Sequence, residues 1–136
     1  MRAFALAMAL ALIPPGGAHA QQRAPAPEAP AAAQPPAPYE PQLLRLSEIM
    51  GALAWLRDLC GSKDGDQWRT RMNALLEAEA QTQPQRERLA GAYNRGFRSY
   101  EAVYRSCTPN AEIVIDRYLD EGGRIAREVT SRFSGG

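Results

Sequence analysis

The chain has 136 residues, with 16 basic and 15 acidic side chains, one histidine and two cysteines. A near-neutral chain without a lysine-rich tail excludes a dedicated nucleic-acid role, because phosphate binding needs a basic stripe or patch. The histidine is His19, so beyond the first twenty residues there is no imidazole for a metal site or a histidine general base.

Those first twenty residues, MRAFALAMALALIPPGGAHA, have the order of a secretory signal. Arg2 is the positive end, Ala3 to Ile13 the apolar run, Pro14 to Gly17 the breaker, and Ala18-His19-Ala20 the small-residue cleavage site. The apolar run is about half of what a membrane span requires. We expect cleavage after Ala20 and export to the periplasm; an uncut N-terminal anchor is the competing reading. No cysteine lies near the site to carry a lipid. Loss of Arg2 leaves 15 basic and 15 acidic residues.

Residues 21–41 alternate proline with alanine. Such a stretch lacks backbone donors and has little surface to bury, so an extended tether is expected. Two readings stay open: a spacer through the envelope, or a leader without a role. A proline ligand for a partner's groove has no specificity in this composition.

Residues 42–133 form one domain of all-α class, a small four-helix bundle-like domain with one disulfide, and residues 134–136 a frayed tail. The first helix spans about 41–60. Its stripe is Leu46, Ile49, Leu53, Leu56 and Cys60, widened by Leu43, Met50 and Leu59, and Gly61 ends it. The second spans about 67–80, with Asp66 as cap and Trp68, Met72, Leu75 and Leu76 as its apolar side. The third spans about 84–107 and carries Leu89, Tyr93, Gly96, Tyr100, Val103 and Cys107 at steps of three and four. Gly96 there permits close approach of a neighbour. The fourth starts at Thr108-Pro109, as a cap and a first residue should. It carries Ile115, Tyr118, Leu119, Ile125, Val129 and Phe133, with a bend or break at Gly122-Gly123.

Cys60 and Cys107 are each expected to close a helix and to continue its apolar stripe. In an up-down-up-down bundle the first and third helices are parallel, so both thiols meet at one end of the core. A small exported domain then favours a structural disulfide. Free buried thiols are the weaker alternative, and redox catalysis weaker still, since Cys-x-x-Cys is absent.

The densest polar stretch is Tyr93 to Pro109. Asn94, Arg98 and Glu101 step by four and three, and Arg95 and Arg105 add charge beside them. These five residues are a candidate binding surface for an anionic lipid or cell-wall group or an envelope protein. The plainer reading, which the pattern favours, is a solvated face, with Glu101 paired to Arg98, Arg105 or Arg57. Tyr93, Phe97, Tyr100 and Tyr104 are a candidate aromatic cluster, able to line a small cavity or simply to fill the core. Trp55 and Trp68 are expected as packing anchors, Trp55 partly exposed. Asp116, Asp120 and Glu121 lie close together on the fourth helix, but a carboxylate pair for hydrolysis needs a cleft and a second wall. No catalytic residue, metal ligand or cofactor is assigned.

Several short pieces together resemble the uncharacterised alphaproteobacterial exported proteins of the DUF2385 type. They are Leu56-Arg57-Asp58-Leu59-Cys60, Trp68-Arg69 with Met72 and Leu75-Leu76-Glu77, Tyr93-Asn94-Arg95-Gly96-Phe97-Arg98, and Cys107-Thr108-Pro109. The likeness covers most of the folded part and none of the tether. It implies export and paired cysteines, adds weight to Asn94 and Arg98, and supplies no activity. Trp55 stands where the resemblance sets His or Tyr, which argues against acid–base or metal chemistry on the first helix. The expected function is a non-catalytic binding or scaffolding module of the cell envelope. An auxiliary cell-wall hydrolase or its activator, and a small stress or chaperone-like factor, are the alternatives.

Overall fold

The computed structural model describes residues 35–133; the expected signal and most of the Pro/Ala stretch lie outside the described residues. Four helices follow one another: α1 Glu40–Leu59, α2 Gly65–Glu79, α3 Gln83–Val103 and α4 Pro109–Phe133. No strand occurs among the described residues, so the domain is the all-α, four-helix class that the periodicity predicts.

α1 is the central element, packing against each of the other three helices. Its apolar positions go round the helix rather than along one stripe. Ile49, Leu53 and Leu56 are buried on one side, Leu43 and Met50 on another, and Ala52 and Ser47 are fully enclosed. A helix apolar all round belongs in the interior. Ser47 is tolerated because its hydroxyl donates to the Leu43 carbonyl at 2.8 Å.

The long-range pairs set the directions. Glu40 meets Arg88, and Trp55 meets the Tyr104 carbonyl, so α1 and α3 are parallel. Arg45 meets Glu121 and Tyr39 meets Phe133, so α4 runs antiparallel to α1. α2 is antiparallel too, with Gly65 held by Asp58. Tyr39 and Glu40, at the end of the Pro/Ala stretch, belong to this packing: Glu40 is buried and its carboxylate accepts from Arg88 Nε at 2.6 Å.

The α1–α3 seam is made by two glycines. A Cβ on Gly51 would strike the Tyr93 carbonyl and lie 2.9 Å from the Phe97 nitrogen. A Cβ on Gly96 would strike the Glu48 carbonyl and lie 3.1 Å from the Ala52 nitrogen. Each glycine therefore admits the other helix's main chain, and neither contact has room for a methyl group. The close approach expected at Gly96 is present, and Gly51 reciprocates it.

Local signals explain the ends. Gly61 takes φ 87°, and the Gly61 and Ser62 amides return to the Asp58 and Arg57 carbonyls, closing α1 in a Schellman turn. Thr82 and Gln85 form a reciprocal capping box at α3. Thr108 Oγ1 accepts from the Ala111 amide at 3.1 Å and starts α4 as expected.

Four expectations need correction. Asp66 does not cap α2; it is exposed and pairs with Arg69, while Asp58 of α1 accepts the Gly65 amide instead. α3 stops at Val103, so Cys107 lies in the link to α4 rather than on a helix. The Cys60–Cys107 disulfide does form, with its Cα atoms 4.9 Å apart, but at the domain's end: Cys60 is half-buried and Cys107 exposed. α4 continues unbroken through Gly122-Gly123, because Gly122 is a buried contact with the side chains of Ile49 and Leu46 and not a hinge.

Candidate functional site

α2 and α3 leave an open groove of about 430 Å³ between them. Met72 and Leu76 of α2 and Ala90 of α3 supply apolar lining, Tyr93 and Phe97 add half-buried aromatic surface, and Arg69, Asn73 and Asn94 are exposed polar groups. Each wall thus contributes one carboxamide. The aromatic wall is fixed from behind: the Phe97 ring packs edge-on against Trp55 at 5.6 Å, and the Trp55 indole donates to the Tyr104 carbonyl at 3.2 Å. Because Tyr93 and Phe97 flank Gly96, the glycine seam sets where both rings stand. Burial pushes the Tyr93 phenol up, with Arg69 beside it pulling the other way.

The sequence-derived candidates separate into groups. Asn94, Tyr93 and Phe97 share the groove. Arg98 and Glu101 continue from Asn94 along the side of α3 turned away from α1, and Arg105 follows, exposed, in the link. Arg95 is exposed on another side, its guanidinium near Gly91. Arg57 is not free for Glu101, since it is committed to Asp64 at 2.7 Å. That guanidinium holds the Asp64 carboxyl below its usual range.

The aromatic cluster divides as well. Tyr100 stacks on Tyr104 at 5.8 Å between ring centres and hydrogen-bonds the Tyr118 hydroxyl of α4, away from the groove. Burial, reinforced by Tyr118, pushes the Tyr100 phenol well above its ordinary value. Arg45 lies over the Tyr118 ring and grips Glu121 through two hydrogen bonds, of 2.7 and 3.0 Å. Glu121 is held below the usual carboxylate range by that contact. The carboxylate trio of α4 therefore does not converge: Glu121 is occupied by Arg45, and Asp116 and Asp120 are exposed.

A second, more apolar cavity of about 290 Å³ lies between α2 and α4, with Leu46, Ile49, Met50 and Leu53 of α1 lining it. Trp68 also lines it, with Arg71 4.6 Å from its ring centre. The Trp68 indole nitrogen is buried without a hydrogen-bond partner. Among the described residues no three His, Cys, Asp or Glu side chains gather into a metal site. None of the described helices is long and apolar enough to cross a membrane.

Sequence reasoning missed the α2 wall. A signal for it exists: Asn73 and Asn94 both sit in helix interiors, where a short amide competes with the backbone and costs helix stability. Arg45–Glu121 carried no such signal, because its partners are 76 residues apart.

Seam, groove and terminal disulfide together define a disulfide-closed four-helix domain. Residues 38–133 match the family described as "Protein of unknown function (DUF2385)", and the chain belongs to that family. No curated protein and no solved structure matches the chain.

Proposed function

We propose that the chain is an exported binding module of the cell envelope, and that its contact is the α2–α3 groove together with the outer side of α3. The observation that carries this reading is the convergence of Tyr93, Asn94 and Phe97 with Arg69 and Asn73 around one open cavity. Small-molecule and cofactor sites are mostly apolar hollows with a few placed polar groups, and this groove has that composition. Arg98 and Arg105 extend it with exposed positive charge.

Export is supported by the n-, h- and c-region order of residues 1–20 and by the disulfide, which suits an oxidising compartment. A Pro/Ala spacer between an envelope location and the domain fits the same picture.

The test places a photo-crosslinking side chain at Arg98 in one variant and at Ile113, exposed on α4, in another. Crosslinking is done in living cells. Capture of one envelope component from position 98 and not from 113 supports the reading. Equal capture from both positions, or capture from position 98 unaffected by Arg69→Glu with Arg105→Glu, rejects this surface.

A further inference from the structure

We infer that the α2–α3 groove is a saccharide site, shaped for a glycan of N-acylated sugars that carries a carboxylate. The inference rests on the groove being the binding surface and names what fills it.

Size comes first. The α3 wall from Ala90 to Phe97 is two turns, about 10 Å long by helix rise. With a volume of about 430 Å³ it suits a disaccharide rather than a long peptide.

The polar groups discriminate further. Asn73 and Asn94 each present a donor and an acceptor, one from each wall. Sugar hydroxyls also donate and accept, so both halves of each amide find a match. A proline-rich strand offers acceptors alone and would leave the amide oxygens unanswered. A phosphorylated or strongly acidic ligand would call for several cations, and Arg69 is the one cation among the lining residues.

The remaining groups fit the substituents. Tyr93 and Phe97, one turn apart, give apolar aromatic surface for the C–H face of a pyranose. Met72, Leu76 and Ala90 accept an acyl methyl. Arg69 can take a carboxylate, because its present partner, Asp66, is a highly exposed i,i+3 contact that gives little to either side.

The experiment titrates the ¹⁵N-labelled full chain with four probes: the disaccharide of N-acetylglucosamine and N-acetylmuramic acid, chitobiose, cellobiose and a proline-rich peptide. The carboxylate-bearing disaccharide should bind best, chitobiose next and cellobiose least. Shifts should concentrate on the Asn73 and Asn94 side-chain amides and on residues 90–97. Arg69→Gln should cost the carboxylate-bearing sugar roughly tenfold and chitobiose far less, the size of a charge-assisted hydrogen bond. Asn94→Ala should weaken both N-acetylated sugars roughly fivefold. Cellobiose binding as well as chitobiose overturns the inference, as does a groove that answers to the peptide and to no sugar. Silent sugars alongside continued crosslink capture from position 98 would overturn the saccharide and leave the binding surface standing. Loss of position-specific capture with intact sugar shifts would keep the saccharide in the groove and overturn only the outer side of α3 as part of the contact.

Discussion

α3 has two flanks that solve the same packing problem in opposite ways. Toward α1 it presents Gly96, and the two main chains meet directly through Gly51 and Gly96. Toward α2 it presents Ala90, Tyr93, Asn94 and Phe97, and a groove remains open. The first flank gives up side chains for proximity, while the second keeps side chains and gives up contact. A surface that must hold its shape when empty benefits from this pairing, since the rings of the open flank are indexed by the closed one.

The largest expected effect comes from unlocking the end of the closed flank. The disulfide joins residues 47 apart in sequence. Replacing both cysteines with Ala should lower stability by about 4 kcal/mol on loop entropy, measured by urea unfolding of oxidised protein against the double variant.

Next come the glycines. Gly51→Ala or Gly96→Ala should each cost about 3 kcal/mol, the upper part of the usual range for overpacking, because the obstructing atoms are backbone. Gly123→Ala provides the contrast: its added methyl meets the flexible end of Arg127, and helix propensity should repay up to about 1 kcal/mol. A loss at Gly123 equal to that at Gly96 would show that the seam is not special.

A smaller effect follows pH. Asp64 and Glu121 are both held low by guanidinium partners. Their stabilisation is present above the unfolded carboxylate value of about 4 and is lost as pH falls through the lower folded values. Tyr100 behaves in the opposite sense. Its raised folded value means stability declines as pH rises beyond about 10, where the unfolded phenol ionises first. Thermal melting from acid to alkali should show both shoulders, and Glu121→Gln should reduce the acid one by about 1 kcal/mol.

The smallest effect on stability should come from the open flank. Asn73→Ala and Asn94→Ala remove exposed amides from helix interiors, so stability should hold or rise by a few tenths of a kcal/mol. Destabilisation beyond about 1 kcal/mol would mean that these amides serve packing rather than a ligand.

Much of the fold was legible because its signals are local. Gly61 stops α1, Thr108-Pro109 starts α4, and three- and four-residue steps mark much of the apolar faces of α2, α3 and α4, although Val103, Leu119 and Phe133 on those steps are exposed. The cysteine pairing was legible as well, although one premise failed: Cys107 lies past the end of α3, since Tyr104 turns out of the helix and its carbonyl accepts from Trp55. The all-round burial of α1 was only half visible, because Ala52, Ala54 and Gly51 are too small to register as a stripe. Gly122-Gly123 misled for a related reason: a glycine needed for contact reads like one needed for bending. Of the groove, the α3 wall was legible as an unusual polar and aromatic run. The α2 wall carried only the weaker signal of Asn73 inside a helix, and Arg69 acquires meaning only when a second helix stands opposite.

The disulfide also has a consequence for how the domain can be broken. Residues 60–107 form one covalent ring, and both walls of the groove lie within it. A protease that cuts the exposed link between α2 and α3, around Gln81 and Gln83, therefore opens the ring without releasing a piece. The nicked molecule would keep its mass apart from one added water, and would run as two bands only after reduction. Damage at the link beside the groove is in this way separated from loss of the domain.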